Sequence, residues 1–289
     1  MKTKKMSWFC EGTVPGKRYG KMKHCFLIEK LIFKGKSPYQ KILIFDNSVY
    51  GKVFVLDDIV QLSESDEFIY HEMLTHPFLM LHPNPKKFLI IGGGDGGTLR
   101  ECLKYNPDEI FMVDIDKKVI ELAKQYLTFV NQGAFNDKRL RLFHEDGKNF
   151  MKRHKDYFDM VIIDGGDPVG PSVSLFAYKF YQDIFAALKE DGIASFQIGS
   201  FLDTPLIKSS FTNLKKVFPH VSMVRLDMPS YHCGDYCFMG ASKKYDFDKF
   251  NPKDLEERFN QMKKKSLFKY YSPEIHQSSR VIPEIFKVK

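Results

Sequence analysis

The chain has 289 residues, 43% hydrophobic and 28% charged, and a formal net charge of +8. This ordinary globular mixture excludes wholesale disorder, and the length suits one or two domains with a buried core. No apolar run approaches the ~18–20 residues that cross a bilayer, and no apolar stretch follows the basic first residues, so neither a membrane anchor nor a secretory signal is expected.

The distribution of cysteines and lysines narrows the class of protein further. Five scattered cysteines, an odd number, favour a reduced cytoplasmic protein over a disulfide scaffold. The lysines fall in small groups along the whole chain, which is typical of a solvated surface rather than a binding stripe. We therefore expect neither nucleic acid nor a membrane as a partner, and a nucleic-acid role is a minor alternative.

The first part of the chain is predicted to form a small β domain. Short runs rich in β-branched and aromatic residues predict strands at 25–34, 40–46 and 49–57. From 67 to 81, apolar residues occupy most faces, which indicates a buried helix that ends before Pro83. We divide the chain here, into a β domain of residues 1–75 and an α/β domain of residues 76–289.

The second part alternates strands with helices, which predicts a doubly wound, mostly parallel sheet. The strands are expected at 87–92, 109–115, 139–144, 158–164, 192–198, 220–226 and 236–242. The helices are expected at 97–105, 116–127, 147–154, 174–190 and 204–217. Because only a short link joins the last two strands, an antiparallel pair should close the sheet.

A glycine-rich turn between the first of these strands and its helix predicts a nucleoside site. Gly92, Gly94 and Gly97 form a G-x-G-x-x-G array, which lets the backbone approach a ligand at the helix start. Asp114 ends the next strand, about 20 residues on, where nucleotide-binding βαβ units place a ribose acceptor. Asp95 within the turn opposes a pyrophosphate or a carboxylate and would accept a ligand that ends in an ammonium.

Three more aspartates follow strands at the same predicted edge of the sheet. Asp146-Gly147 opens a helix, so Asp146 is either an acceptor for an adenine amino group or simply a helix N-cap. Asp164 ends the most apolar strand and Asp167 follows it, with a glycine pair between them. Since open α/β sheets bind ligands outside this edge, two such aspartates favour a pocket for a cation.

These motifs resemble the spermidine synthase (polyamine aminopropyltransferase) family over nearly the whole chain. The segments that carry the resemblance are Tyr39-Gln40, VLDDIVQLSESDEFIYHEML (55–74), GGGDGGTLRE (92–101), VDID (113–116), Asp146-Gly147, DGGDPVGPSVSLF (164–176), MPSY (228–231) and YYSPEIHQSSRVIP (270–283). The resemblance implies an N-terminal β domain, a Rossmann-like catalytic domain of the S-adenosylmethionine-methyltransferase type, and a homodimer or homotetramer. It also implies decarboxylated S-adenosylmethionine as a co-substrate, with no cofactor and no metal, and release of methylthioadenosine.

The resemblance also implies a role for each matching residue. The nucleoside would be held by Gln40, Gly92, Gly94, Asp114, Asp146, Gly147 and Pro171, and the donor's ammonium by Asp95. The acceptor amine would be lined by Tyr70, His71, Asp167 and Tyr231. Asp164 would accept the proton that a free alkyl amine must lose before it attacks the methylene beside the sulfonium. The matched site residues include five aspartates but no lysine or arginine. This negative charge favours cationic substrates.

Departures from the family pattern concentrate at the acceptor end. Gly165 and Gly166 replace two hydroxyl residues, His232-Cys233 replace Pro-Ser, and Gly199 stands where a glutamate is common. Putrescine remains the default acceptor that the resemblance implies, and these departures leave cadaverine, spermidine, agmatine or another amine as alternatives. His232, Cys233, Asp235 and Cys237 are close in sequence, but zinc would need a second cysteine pair or comparable ligands.

Two other functions are possible on the same sequence features. A methyltransferase that uses intact S-adenosylmethionine would share the fold. It needs a group that attracts the methionine carboxylate, whereas Asp95 would repel it. A polyamine- or nucleoside-binding protein without activity would not need Asp164, Tyr70 and Tyr231 together.

Overall fold

The computed structural model describes residues 7–11, 22–166 and 175–287. The strands of the N-terminal part are β1 (Ser7–Cys10), β2 (Cys25–Ile28), β3 (Lys30–Lys36), β4 (Lys41–Asn47), β5 (Gly51–Leu56) and β6 (Ile59–Ser63). Those that follow are β7 (Lys87–Gly92), β8 (Glu109–Val113), β9 (Leu140–Phe143), β10 (Phe158–Asp164), β11 (Leu188–Gly199), β12 (His220–Asp227) and β13 (Asp235–Ser242). The helices are α1 (Glu67–Leu79), α2 (Gly97–Leu103), α3 (Lys117–Tyr126), α4 (Thr128–Asn131), α5 (Gly147–Met151), α6 (Tyr178–Ala187), α7 (Thr204–Lys215), α8 (Pro252–Lys263) and α9 (Pro273–Ser278).

The N-terminal part contains two antiparallel sheets. Strands β3, β4, β5 and β6 form a meander in that order, and β1 pairs with β2 beside it. The single strand expected at 25–34 is two strands, β2 and β3, because the chain turns at Glu29 and β2 pairs with β1 instead of continuing. Strands β1 and β6 were not predicted, since four or five residues beside turns give too short an alternating pattern.

Two of the five cysteines are joined. Cys10 and Cys25 face each other across the β1–β2 pair and form a disulfide, whereas Cys102, Cys233 and Cys237 are free. The expectation of uniformly reduced thiols is therefore wrong for this pair. The strand register brings together two cysteines that are 15 residues apart, and spacing alone does not reveal such a contact. A cytoplasmic location stays a prediction, without support from the cysteines.

The larger sheet confirms the predicted fold class. Its order is β12-β13-β11-β10-β7-β8-β9, and every pairing from β11 to β9 is parallel. Strand β13 runs antiparallel to β11 and β12, so the predicted antiparallel pair lies at the end of the sheet. Along β7, Phe88 and Ile90 enter one core cluster while Leu89 and Ile91 enter another. Both faces are thus buried, which explains the uninterrupted apolar sequence of the central strands.

The connections create a topological switch between β7 and β10. From β7 the chain proceeds to β8 and β9 on one side, and β10 then returns to the opposite side of β7. The register places Asp164, the last residue of β10, directly beside Gly92, the last residue of β7. Connections leave this point in opposite directions and open a crevice, which is where doubly wound sheets bind ligands.

Helix α1 joins the two parts of the chain. It packs against α2, β11 and β12, and most of its residues are buried, as a helix with apolar residues on all faces requires. The division at residue 75 falls inside this helix, whereas a division between Ser63 and Glu67 keeps every element whole. In the described part of the chain, no helix is both long and apolar enough to cross a membrane.

Candidate active site

The glycine turn needs glycine at these positions because its backbone lies too close to neighbouring residues to leave space for a side chain. A Cβ at Gly92 would lie 2.1 Å from the Asp164 carbonyl oxygen, and one at Gly97 would lie 2.4 Å from the His71 ring. Gly92 also has a φ of +83°, which glycine adopts without strain. The turn therefore brings the start of α2 against both β10 and α1.

A cavity of about 430 Å³ opens at this turn, between the edge of the parallel sheet and the N-terminal strands. The predicted residues that border it are Gln40, Tyr70, His71, Gly92, Gly94, Asp95, Asp114, Asp146, Gly147, Asp164 and Tyr231. The other two predicted site residues, Asp167 and Pro171, lie outside the described residues. The structure thus assembles the predicted site from segments that are far apart in sequence.

Asp164 receives a hydrogen bond on each carboxylate oxygen. The Tyr70 hydroxyl donates to Oδ1 at 2.9 Å, and the Thr98 hydroxyl donates to Oδ2 at 2.6 Å. Burial and the negative charge of Asp95 raise the pKa of Asp164 to about 6, although the two donors oppose this shift. A carboxylate with such a pKa is poised to exchange a proton near neutral pH, as a general base does.

Asp95 is held from behind by His71. The His71 Nε2 atom lies 3.2 Å from Asp95, its Nδ1 atom lies 2.7 Å from Glu67, and the Gly97 amide donates to Asp95 Oδ1 at 2.7 Å. Burial lowers the pKa of His71, but the two carboxylates raise it to about 10, so the ring is an imidazolium at neutral pH. His71 borders the cavity, yet both ring nitrogens face carboxylates. Its contact with an acceptor stays a prediction, and its observed role is to position Asp95.

Asp114 is held by a hydrogen-bonded connection between the two parts of the chain. Its Oδ1 atom accepts the Asp116 amide at 2.8 Å, and the Asp116 carboxylate accepts from Ser37 at 2.6 Å and Gln40 at 2.8 Å. Burial and the nearby charge of Asp116 raise the pKa of Asp114 to about 7. The connection fixes Gln40 and Asp114 on the same wall of the cavity.

Asp146 takes the helix-capping role that the sequence left open. Its Oδ1 atom accepts the Lys148 amide at 2.8 Å and caps α5, and its Oδ2 atom lies 3.6 Å from the Lys148 ammonium. Lys148 also borders the cavity, so the expectation of a site without lysine is wrong. This lysine lies just after the matched Asp146-Gly147 motif, and its side chain folds back over the motif.

The sequence analysis missed three residues of the site: Gln197 and Glu11 border the cavity, and Thr98 contacts Asp164 behind it. Thr98 lies inside a motif that was read only for its glycines and Asp95. Gln197 donates to the Gly165 carbonyl at 3.0 Å, while its own side-chain oxygen is buried and has no hydrogen-bond partner among the described residues. Glu11 reaches the cavity from the end of β1, and no motif marked it. The QIGS segment was a usable signal for Gln197, since it lies at the carboxyl end of a buried strand, β11, at the same sheet edge.

The candidate zinc ligands near residue 235 do not come together. Cys237 is buried in the core, and Asp235 accepts a hydrogen bond from the Ser200 hydroxyl at 2.9 Å. Within the described ranges, the one group with metal-ligand spacing is His82, Asp159 and Asp191. There Asp159 already accepts the Lys189 ammonium at 2.7 Å, which opposes a second cation.

Comparison with known proteins agrees with this geometry. A spermine/spermidine synthase domain matches residues 67–251, and a spermidine synthase tetramerisation domain matches residues 8–64. The chain belongs to the spermidine synthase family of aminopropyltransferases. A polyamine aminopropyltransferase of Buchnera aphidicola (subsp. Acyrthosiphon pisum, strain Tuc7) is 41% identical over 93% of this chain and 94% of its own. One of Caldicellulosiruptor saccharolyticus is 38% identical, covering 96% and 95%.

Solved structures of the family share the whole architecture. A spermidine synthase in complex with the transition state analogue AdoDATO superposes with a TM-score of 0.89 at 37% identity, covering 96% of this chain and 93% of that one. The spermidine synthase of Thermotoga maritima gives a TM-score of 0.87 at 37% identity, covering 96% and 92%. The two-part fold is thus that of the spermidine synthase family.

The charge of His71 predicts a pH-dependent contribution to stability. Because folding raises the pKa of His71, this contribution is complete below the unfolded value of about 6.5 and is lost as pH rises through about 10. We expect His71→Gln to lower the free energy of unfolding by about 2–4 kcal/mol at pH 6.5 and by much less at pH 10. Urea unfolding at both values measures the difference. The exposed His144→Gln is the control, and a His71→Gln deficit that is constant with pH contradicts the charged pair.

Proposed function

We propose that the protein transfers an aminopropyl group from decarboxylated S-adenosylmethionine to an amine, with putrescine as the default acceptor and spermidine as the product. The observation that carries this proposal is Asp164, a carboxylate of raised pKa held by Tyr70 and Thr98 beside the anionic Asp95. Two carboxylates at the switch point suit two cationic groups that must meet there. Methylthioadenosine would leave as the second product.

The nucleoside end of the donor would lie along the glycine turn. Gly92 and Gly94 border the cavity there, and Asp114 would offer its second oxygen to the ribose hydroxyls. On the same wall as Asp114, Gln40 is held in place by Asp116. Asp146 and Gly147 border the adenine side, where Asp146 both caps α5 and presents its second oxygen. The same family resemblance assigns Pro171 to this end.

The donor tail decides between aminopropyl and methyl transfer. The Asp95 carboxylate borders the cavity, and the His71 imidazolium beside it has its ring nitrogens against Glu67 and Asp95. An ammonium would meet Asp95 directly, whereas the carboxylate of intact S-adenosylmethionine would meet a like charge. This arrangement supports the decarboxylated donor over the intact one. No cofactor is needed, because the sulfonium is already an activated leaving group.

The transfer itself would be an in-line displacement. The lone pair of a neutral amine attacks the methylene next to the sulfonium, the carbon–sulfur bond breaks, and its electrons neutralise the sulfur of methylthioadenosine. Asp164 takes the proton that the amine loses, and Tyr70 and Tyr231 border the approach. Orientation of two bound cations by Asp95, Asp164 and, by resemblance, Asp167 would supply most of the rate enhancement.

The acceptor end carries the departures from the family pattern. A Cβ at Gly165 would lie 2.8 Å from Leu175, so the hydroxyl residue common in the family would crowd this wall. Gly166, Gly199, His232 and Cys233 complete the set of changes. These positions surround the acceptor rather than the donor, so cadaverine, spermidine and agmatine remain alternative acceptors.

Asp164→Asn tests the proposed base. We expect the variant to bind methylthioadenosine as the wild type does and to lose about 10²–10⁴ in turnover, the usual contribution of a general base. The measurement is methylthioadenosine release from labelled donor with a panel of diamines and polyamines. Near-normal turnover of the variant would remove Asp164 from this role. Failure of the wild type with every amine would refute aminopropyl transfer itself.

Thr98→Val tests the electrostatic control of that base. The Thr98 hydroxyl stabilises the charged form of Asp164, so its removal should raise the pKa of Asp164 further above its ordinary value. We expect kcat/KM of the wild type to rise with pH through about 6, and the rise of Thr98→Val to shift upward by about 0.5–1.5 pH units. Thr98→Ser keeps the donor and is the matched control. Coincident profiles for all three proteins contradict the assignment.

We further propose that the chain forms a homodimer or homotetramer through its N-terminal strands. A groove of about 1010 Å³ lies there, and its rim includes Trp8, 56% exposed, and Leu31, 53% exposed. Exposed large apolar side chains beside a groove are typical of an interface, and this segment is the one matched by the tetramerisation domain.

Light scattering tests this association surface. We expect the wild type to have the mass of two or four chains and Leu31→Glu to have a lower mass, because a buried unpaired charge opposes contact. Leu267→Glu is the control, since Leu267 is also exposed, at 70%, but lies outside the N-terminal strands. A monomeric wild type, or equal masses for all three proteins, contradicts the proposed surface.

A further inference from the structure

Glu11 provides a second anionic end to the cavity. It follows β1, is 6% exposed, and borders the same cavity as Asp164. Its Oε1 atom accepts the Val60 amide at 2.8 Å, which fixes the carboxylate. Its Oε2 atom is buried and accepts no hydrogen bond from the described residues, where its contacts are ion pairs with histidines at 3.4 Å and 4.0 Å. A diamine has two ammonium groups, so an unsatisfied carboxylate oxygen away from the glycine turn is a natural contact for the group that does not react.

His232 already places a side chain beside that oxygen. The His232 Nδ1 atom lies 3.4 Å from Glu11 Oε2, and the ring is 19% exposed on the cavity wall. Burial lowers the pKa of His232, but the neighbouring Cys233 and Glu11 raise it to about 10. The ring is therefore a cation at neutral pH and compensates the charge of Glu11 inside the protein.

A second histidine contacts the same carboxylate without compensating it. His24 Nδ1 lies 4.0 Å from Glu11 Oε2, and the His24 ring packs at a tilt against Phe26, with ring centroids 4.4 Å apart. Burial lowers the pKa of His24, and the positive charge of His232 adds to this effect. One carboxylate is thus flanked by one charged ring and one neutral ring. Only the charged ring, that of His232, would repel a cationic ligand that approaches Glu11.

We propose that His232 is a specificity-determining residue, whose side chain competes with the remote ammonium of a diamine for the Glu11 carboxylate. The inference rests on the proposed aminopropyl transfer and concerns the acceptor alone. Two cations would have to share one carboxylate when a diamine binds, and their repulsion acts in a partly dry cavity. A monoamine of the same length has no remote charge and escapes this repulsion. The wild type should therefore prefer diamines over monoamines only weakly.

His232→Gln tests the inference with putrescine and butylamine, two acceptors with the same four-carbon chain. We expect the KM for putrescine to fall about 5–20-fold, because Glu11 is released from a cation, and the KM for butylamine to stay within about twofold. The kcat of each acceptor should change little, because His232 lies away from Asp164's hydrogen bonds. Methylthioadenosine release measures both reactions.

Three further variants separate charge from shape. His232→Lys keeps a cation and should keep the putrescine KM near the wild-type value. His24→Gln removes a neutral ring beside the same carboxylate and should leave the ratio of the two KM values unchanged. In a Glu11→Gln background, His232→Gln should no longer lower the putrescine KM, since the contested carboxylate is absent. His232→Asn replaces His232→Gln if the latter does not fold.

The possible results are decisive in either direction. A lower KM for putrescine alone supports competition for Glu11. Equal changes for both amines indicate a steric effect and overturn the inference, as does an unchanged putrescine KM. If no amine supports methylthioadenosine release in the wild type, aminopropyl transfer fails instead. Calorimetric Kd values for the two amines, measured with methylthioadenosine bound, then test the His232 competition independently.

Discussion

The buried contact of His71 with Asp95 and Glu67 is the interaction on which the site depends. It joins α1 to the glycine turn. Arg100 of α2 also forms an ion pair with Glu67, with 2.9 Å between a guanidinium nitrogen and Glu67 Oε1. Tyr70 precedes His71 on the same helix, so the contact that holds Asp95 also holds the Tyr70 hydroxyl on Asp164. Loss of one member would leave a buried charge without its partner, which is costly in a low dielectric. The two carboxylates proposed to bind donor and acceptor are therefore positioned by one element.

The cavity shows how a protein with a surplus of basic residues can bind cations. Asp114 and Asp164 both have raised pKa values, because burial and neighbouring aspartates penalise their negative charge. A cationic ligand would remove that penalty, so the repulsion among these aspartates favours amines. The site is not free of cations, since His71 and Lys148 also border it. Their charges are opposed by the adjacent Glu67, Asp95 and Asp146.

The proposed reaction divides donor and acceptor recognition between different parts of the chain. The proposed donor end lies on the carboxyl edge of the parallel sheet, where close backbone contacts at Gly92 and Gly97 leave little freedom to change. The proposed acceptor end lies partly on Glu11, on β6 and on the segment from 228 to 236, which includes His232. A departure from the family pattern at His232 could therefore alter the preference for an acceptor without disturbing the proposed proton transfer at Asp164.

The sequence by itself determined the fold class, the strand–helix order after residue 85 and the set of aspartates at the sheet edge. These follow from local rules, because apolar strands, glycine turns and strand-end carboxylates can each be recognised from a sequence segment of a few residues. The tertiary structure alone decided the Cys10–Cys25 disulfide, the pairing of His71 with Asp95, and the approach of Glu11 to His232. Each of these joins segments whose contact depends on strand register or helix packing, and charge states such as that of His71 arise only from burial beside particular neighbours.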